Sequence, residues 1–185
     1  MALVPVTEAA FDIEIRLAYA TADNFTGLPV YARPLCYLHI DAAAALRRAV
    51  DAARRLDLRL RVFDAFRPTE AQWRLWEFRP DPTFLADPRR GSPHSRGVAV
   101  DLTLIDRQGV ALDMGCGFDE FSVRAHHDHF GASALVQRNR FMLLGLMSAA
   151  GWDFYMKEWW HYQLFESRRY PLWSDRALPR RMMDD

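Results

Sequence analysis

The chain has only two cysteines, Cys36 and Cys116, among 185 residues. They are far apart and form no Cys-x-x-Cys pair, so neither a disulfide framework nor a cysteine-type metal site is expected, and two free thiols in a reducing compartment are. The chain also lacks net charge, with 24 basic against 24 acidic residues. That balance gives no general attraction for nucleic acid or an anionic membrane surface, and it suits a small neutral or zwitterionic ligand. No run reaches the roughly 18 apolar residues of a membrane span. Met1 to Glu14 contains Glu8, Asp12 and Glu14 with no basic region before an apolar run, unlike a secretory signal, so a cytoplasmic location is expected. Internal repeats and low-complexity segments are absent too. Half of the residues are hydrophobic. A chain of this size can bury a sizeable core, so a single domain over residues 1–185 is expected, with a polar tail fraying from about residue 174.

The most informative stretch is Ser92-Pro93-His94-Ser95-Arg96-Gly97-Val98-Ala99-Val100-Asp101. His94 sits among loop formers. From Gly97 onward Val98, Val100, Leu102 and Leu104 alternate with Ala99, Asp101 and Thr103, the period of a strand. Asp101 therefore shares a face with small or polar side chains, while the opposite face is aliphatic and faces the core. An Asp on such a face is costly if buried without a partner, and a cation beside it removes that cost.

A complementary stretch follows at Glu158-Trp159-Trp160-His161. On one continuous strand residues three apart would point to opposite faces, so Glu158 is placed in the turn before a strand and His161 on it. Hydrolytic zinc sites use three nitrogen or oxygen ligands and keep a position for water, usually with a carboxylate nearby to take its proton. His94, Asp101 and His161 supply the ligands, and Glu158 the base. A denser histidine cluster at His126, His127 and His129 around Asp128 is a competing metal site. It is local to one polar segment, and adjacent His126 and His127 cannot point the same way on a regular element. Trp159 and Trp160 are expected to wall the site and pack the core.

Ser-x-His-x-x-Gly-x-Ala-x-Asp followed by Glu-x-x-His resembles the zinc D-alanyl-D-alanine dipeptidases of the VanX type. Asp64-Ala65-Phe66-Arg67-Pro68 is similar to the family's arginine segment, Asn24-Phe25-Thr26-Gly27 to its N-terminal motif, and Gly117-Phe118-Asp119 to its substrate-pocket segment. The resemblance implies an α+β fold of the hedgehog/D,D-peptidase kind, with helices packed on a mainly antiparallel sheet that carries the ligands. It implies one Zn2+ per chain and hydrolysis of the dipeptide D-Ala-D-Ala. In that scheme Glu158 moves the proton, Arg67 stabilises the oxyanion, Asp119 meets the substrate ammonium, and Ser92 is a polar contact in the pocket. Vancomycin resistance and recycling of cell-wall D-alanine are both compatible settings. Two alternatives stand beside this reading: a related zinc peptidase acting on longer peptidoglycan peptides, as a D,D-carboxypeptidase or an L-Ala-D-Glu endopeptidase, and a non-catalytic zinc-containing binding module. Intact Glu158 and Arg67 argue against the second. The oligomeric state is left open.

In chain order, the pattern predicts a strand across Phe11–Tyr19 and a loop from Thr21 to Val30. A helix from Ala42 to about Leu56 is N-capped by Asp41, and Leu58–Phe63 forms a strand. Arg67 precedes a proline, which favours extended backbone, and a helix led by Thr69 follows. Pro80–Ser95 reads as a long loop leading into His94, of a length usually functional or mobile. Asp106-Arg107-Gln108-Gly109 is a hairpin turn, with Val110–Met114 as the returning strand. Ser133 caps a final long helix, Ala134 to Ala150, which Gly151 ends.

Overall fold

The computed structural model describes residues 2–184. Strand β1 (Leu3–Pro5) leads into a one-turn helix, α1 (Glu8–Phe11), and a two-residue strand, β2 (Glu14–Ile15). The strand expected across Phe11–Tyr19 is thus reduced to its middle. Thr7 caps a helical turn by accepting from the Ala10 N–H at 3.2 Å, Asp12 takes the left-handed conformation at φ 55°, and a 3-10 turn at Ala18–Ala20 ends the extended run. Strand β3 (Tyr37–His39) pairs antiparallel with β1 in a small separate sheet that the sequence pattern did not suggest.

Helix α2 (Ile40–Arg54) starts earlier than expected because His39 is its cap, accepting from the Asp41 N–H through Nδ1 at 3.2 Å. Asp41 lies in the first turn instead, where its charge complements the helix dipole. Strand β4 (Arg59–Asp64), helix α3 (Thr69–Phe78) and strand β5 (Ala99–Ile105) follow. The turn after β5 forms as expected, with Asp106 Oδ1 accepting from Gln108 N and Val110 N, yet the returning segment makes only an isolated bridge, Ile105 with Ala111. Helix α4 (Ala134–Ala149) is capped by Ser133, and Gly151 beyond its end holds φ +93°. The chain then forms β6 (Trp152–Phe154) and β7 (His161–Leu164).

The five-stranded sheet runs β2-β4-β5-β7-β6. Its β4–β5, β5–β7 and β7–β6 pairs are antiparallel and β2–β4 is parallel, so the sheet is mainly antiparallel, as expected, and mixed at one edge. Val62, Val100, Leu102 and Leu104 turn the aliphatic face toward α2 and α4, where Leu46, Ala49, Leu143 and Met147 complete the core. The other face carries Asp101. One bulge decides what joins it. Pairing runs Arg61 with Thr103 and Val62 with Leu102, then slips by a residue so that Asp64 stands opposite Asp101. In regular register Asp64 would share the core face with Leu60 and Val62; the bulge turns it to the site face.

The tail expected to fray is packed down, which corrects the reading from its polarity. Leu178, Met182 and Met183 are buried in a second apolar cluster with Tyr19, Tyr31 and Phe66. Asp175 anchors them, one carboxylate oxygen accepting from Met182 N at 2.7 Å and the other from Met183 N at 3.3 Å. Among the described residues no helix is long and apolar enough to cross a membrane.

Candidate metal centre

Three elements converge on the polar face of β5. His161 of β7 lies directly opposite Asp101, with Nδ1 3.0 Å from Oδ1. His94 comes from the loop before β5, in a 3-10 turn closed by Gly97. Gly97 holds φ +71°, and a Cβ there would lie 2.5 Å from the Leu3 side chain and 3.0 Å from the His39 backbone nitrogen, so the His-x-x-Gly spacing has a steric cause. His94 Nε2 is 3.3 Å from Asp101 Oδ2 and 3.2 Å from His161 Nδ1.

The outer ring nitrogens decide what this cluster can hold. His94 Nδ1 lies 2.7 Å from the carbonyl oxygen of Ala65, and His161 Nε2 lies 3.2 Å from Gln163 Oε1. Both partners are acceptors, so those nitrogens carry the hydrogens and donate. Each ring is left with a lone pair aimed at the other ring and at the Asp101 carboxylate. Three electron-pair donors, all buried and all within 4.8 Å of one another, repel unless a cation sits between them. The donor set therefore fits a metal ion, and among the described residues no second group of this kind occurs.

The competing histidine cluster does not assemble. His126 lies 3.9 Å from exposed Asp128, while His127 is buried against Phe154 with both ring nitrogens unpartnered. Burial pushes its pKa down to about 4.

Glu158 occupies the turn before β7, as expected. Its N–H donates to Tyr155 O, and its carbonyl accepts from His161 N at 3.3 Å. Its carboxylate is 3.9 Å from His161 Nδ1, and burial pushes its pKa up to about 8. Arg67 reaches the site from the β4–α3 connection, with Nη2 3.7 Å from Asp101 Oδ2 and the guanidinium over the Tyr19 ring at 4.9 Å. It is nearly fully buried. Asp64 and Gln72 hold it, Gln72 Oε1 accepting from Nη1 at 2.9 Å while Gln72 Nε2 donates to Ala86 O at 2.8 Å.

All seven residues picked out by sequence line one cavity of about 250 Å3. Asp119 lines it from a left-handed position at φ +59°. One of its oxygens accepts from Tyr19 Oη at 3.1 Å; the other is buried without a partner. Burial, reinforced by the charge of Asp101, pushes Asp119 up to about 8. Ser92 is buried and its Oγ accepts from the His94 N–H at 3.2 Å, so it also sets the local backbone of His94. Trp160 lines the cavity and Trp159 packs in the core. Sequence reasoning missed Gln163 and Gln72. Gln163 carried a readable signal, since it stands two residues beyond His161 on the same strand; Gln72 carried none.

A family model described as D-ala-D-ala dipeptidase matches residues 1–180. The chain is 45% identical over 164 residues to the D-alanyl-D-alanine dipeptidase of Escherichia coli (strain K12), covering 89% of this chain and 85% of that protein. It is 33% identical over 169 residues to the D-alanyl-D-alanine dipeptidase of Enterococcus faecalis (strain ATCC 700802 / V583), covering 80% and 84%. With the protein of the same name from Streptomyces coelicolor it shares 34% identity over 187 residues, covering 87% and 90%.

Proposed function

We propose the following activity for this chain, which belongs to the D-ala-D-ala dipeptidase family of peptidases: hydrolysis of D-alanyl-D-alanine to two molecules of D-alanine, by a single domain using zinc held by His94, Asp101 and His161. One observation carries the metal part of this reading. Both imidazoles spend their outer nitrogen on a fixed oxygen acceptor, so their lone pairs meet at the Asp101 carboxylate. Two nitrogens and a carboxylate oxygen form a donor set common at hydrolytic zinc sites. When bound there, zinc would acidify a water and polarise the scissile carbonyl.

The chain's own residues supply the rest. Glu158 stands beside the ligand His161 in a water-poor setting, placed to take a proton from the attacking water and return it to the leaving amine. Arg67 presents a fixed guanidinium beside Asp101. It stabilises negative charge on the carbonyl oxygen more as that charge develops than before, which lowers the barrier. Asp119 has one buried oxygen with no partner in the protein, and a substrate ammonium would satisfy it. Ser92 offers a hydroxyl at the cavity wall. The small cavity favours a dipeptide over longer cell-wall peptides. Location in the cytoplasm and a part in handling cell-wall D-alanine, in vancomycin resistance or recycling, belong to this same reading.

The purified protein is tested by following D-alanine release from D-Ala-D-Ala, after chelation and again after zinc is restored. Turnover that disappears and returns with zinc supports the reading. A metal-loaded protein that releases no D-alanine overturns it.

A further inference from the structure

The rim of the cavity is aromatic and tied together. Phe84, from the Pro80–Ser95 loop, stacks on Phe121, two residues beyond Asp119, with centroids 4.9 Å apart and planes 22° apart. Both rings line the cavity and both are half-buried, whereas Tyr19 and the free Oδ2 of Asp119 are buried. The stacked rings are therefore more exposed than the free carboxylate oxygen of Asp119 in the same cavity. It is braced from behind: Phe25 packs against Phe121 at 5.0 Å, and the Arg79 guanidinium lies over the same ring at 5.0 Å. Phe25 is itself held by its neighbour Asn24, whose side-chain amide donates to Thr21 O at 2.7 Å and Leu28 O at 3.0 Å. On the other side of Phe84, Tyr155 Oη donates to Thr83 O at 2.9 Å. Residues 83–84 are thus pinned to both neighbouring segments, and the Asn24-Phe25-Thr26-Gly27 motif acquires a purpose as the outer brace.

We propose that the Phe84–Phe121 stack is the wall that ends the amine side of the substrate pocket, making Phe84 and Phe121 specificity-determining residues that reject any group attached to the dipeptide's amino terminus. This rests on the dipeptidase reading above and deepens it. On this proposal an amine held at Asp119 has the stack between itself and solvent, so an acyl group or a further residue on that nitrogen must occupy the space the two rings fill. Rejection by a wall is separable from rejection by charge. Blocking the amine removes the ammonium that Asp119 meets, and that loss persists when the wall is gone, whereas the steric exclusion does not.

The experiment measures kcat/KM for D-Ala-D-Ala and N-acetyl-D-Ala-D-Ala with wild type, Phe84→Ala, Phe121→Ala and the conservative Phe84→Leu. Both alanine variants are expected to raise the absolute rate on the acetylated dipeptide by at least about tenfold, and Phe84→Leu to raise it less. A gained activity cannot come from damage to the fold, and Phe84→Ala sits on a loop, so it serves if Phe121→Ala folds poorly. If wild type cuts D-Ala-D-Ala while neither alanine variant gains on the acetylated substrate, the wall is overturned and the dipeptidase reading stands. If wild type cuts N-acetyl-D-Ala-D-Ala as fast as the free dipeptide, there is no wall. Failure of zinc-loaded wild type on D-Ala-D-Ala itself removes the dipeptidase reading and this inference with it.

Discussion

Asp64 grips Arg67 through a single carboxylate oxygen: Oδ2 accepts from Nε at 2.9 Å and stands 2.8 Å from Nη2, while Oδ1 accepts from Tyr31 Oη at 2.8 Å. All three side chains are buried, so the plane of the guanidinium is set by a partner that is itself held. Burial would discharge Arg67, but Asp64 opposes this and keeps its pKa well above the ordinary value. A flexible ammonium cannot use that grip. Arg67→Lys is expected to retain charge and fold but lose on the order of 10²–10³ in kcat, as for removal of an oxyanion donor. Steady-state kinetics decide it, and near-normal kcat would take Arg67 out of the chemistry.

Metal content separates the two histidine clusters. His94→Ala, Asp101→Ala and His161→Ala should each lose zinc on dialysis, whereas His127→Ala should keep it. Elemental analysis reads the result directly; zinc lost only from the His127 variant would relocate the site.

Glu158 is not a ligand in this scheme. Glu158→Ala should bind zinc as tightly as wild type and lose about 10²–10⁴ in turnover, the usual range for a general acid–base group. Loss of metal from this variant would instead make Glu158 part of the binding set.

Gln163 should matter for the metal without touching it. Its Oε1 fixes the hydrogen on His161 Nε2 and so leaves the Nδ1 lone pair free. Gln163→Leu removes the acceptor and should weaken zinc affinity by about 10–100-fold in a chelator competition, with Gln163→Glu retaining most of it. Equal affinities in all three proteins would assign Gln163 no such role.

His127 predicts a pH dependence of stability remote from the candidate metal centre. Its folded pKa of about 4 lies below the ordinary value, so the unfolded chain binds the proton more readily. Stability is therefore full above about pH 6.5 and falls as pH drops toward 4, by on the order of 1–3 kcal/mol from this group. His127→Phe should flatten that part of the profile. Urea unfolding of the metal-free protein at several pH values measures it, and an unchanged slope would mean that His127 does not contribute.

Much of the site was legible because its signals are local. The period-2 run from Val98 places Asp101 opposite the aliphatic face, the three-residue gap puts Glu158 in a turn and His161 on a strand, and Gly97 permits the turn that presents His94. Those features depend on residues adjacent in the chain, and so do Ser133 as a cap and the face of α2. Other features depended on which distant groups became neighbours. Asp64 faces the site only because a bulge slips β4 against β5, a register between strands remote in sequence. Gln72 links Arg67 to Ala86 across two connections. A polar tail is buried because Asp175 can satisfy two backbone N–H groups and bring Met182 and Met183 against Tyr19 and Tyr31. The sequence alone determined which donor side chains stand on which local elements, since spacing and backbone preference act within a few residues. Only the tertiary structure decided the register, the buried partners of Arg67 and the docking of the tail, since each is set by what must be covered or paired once remote segments meet.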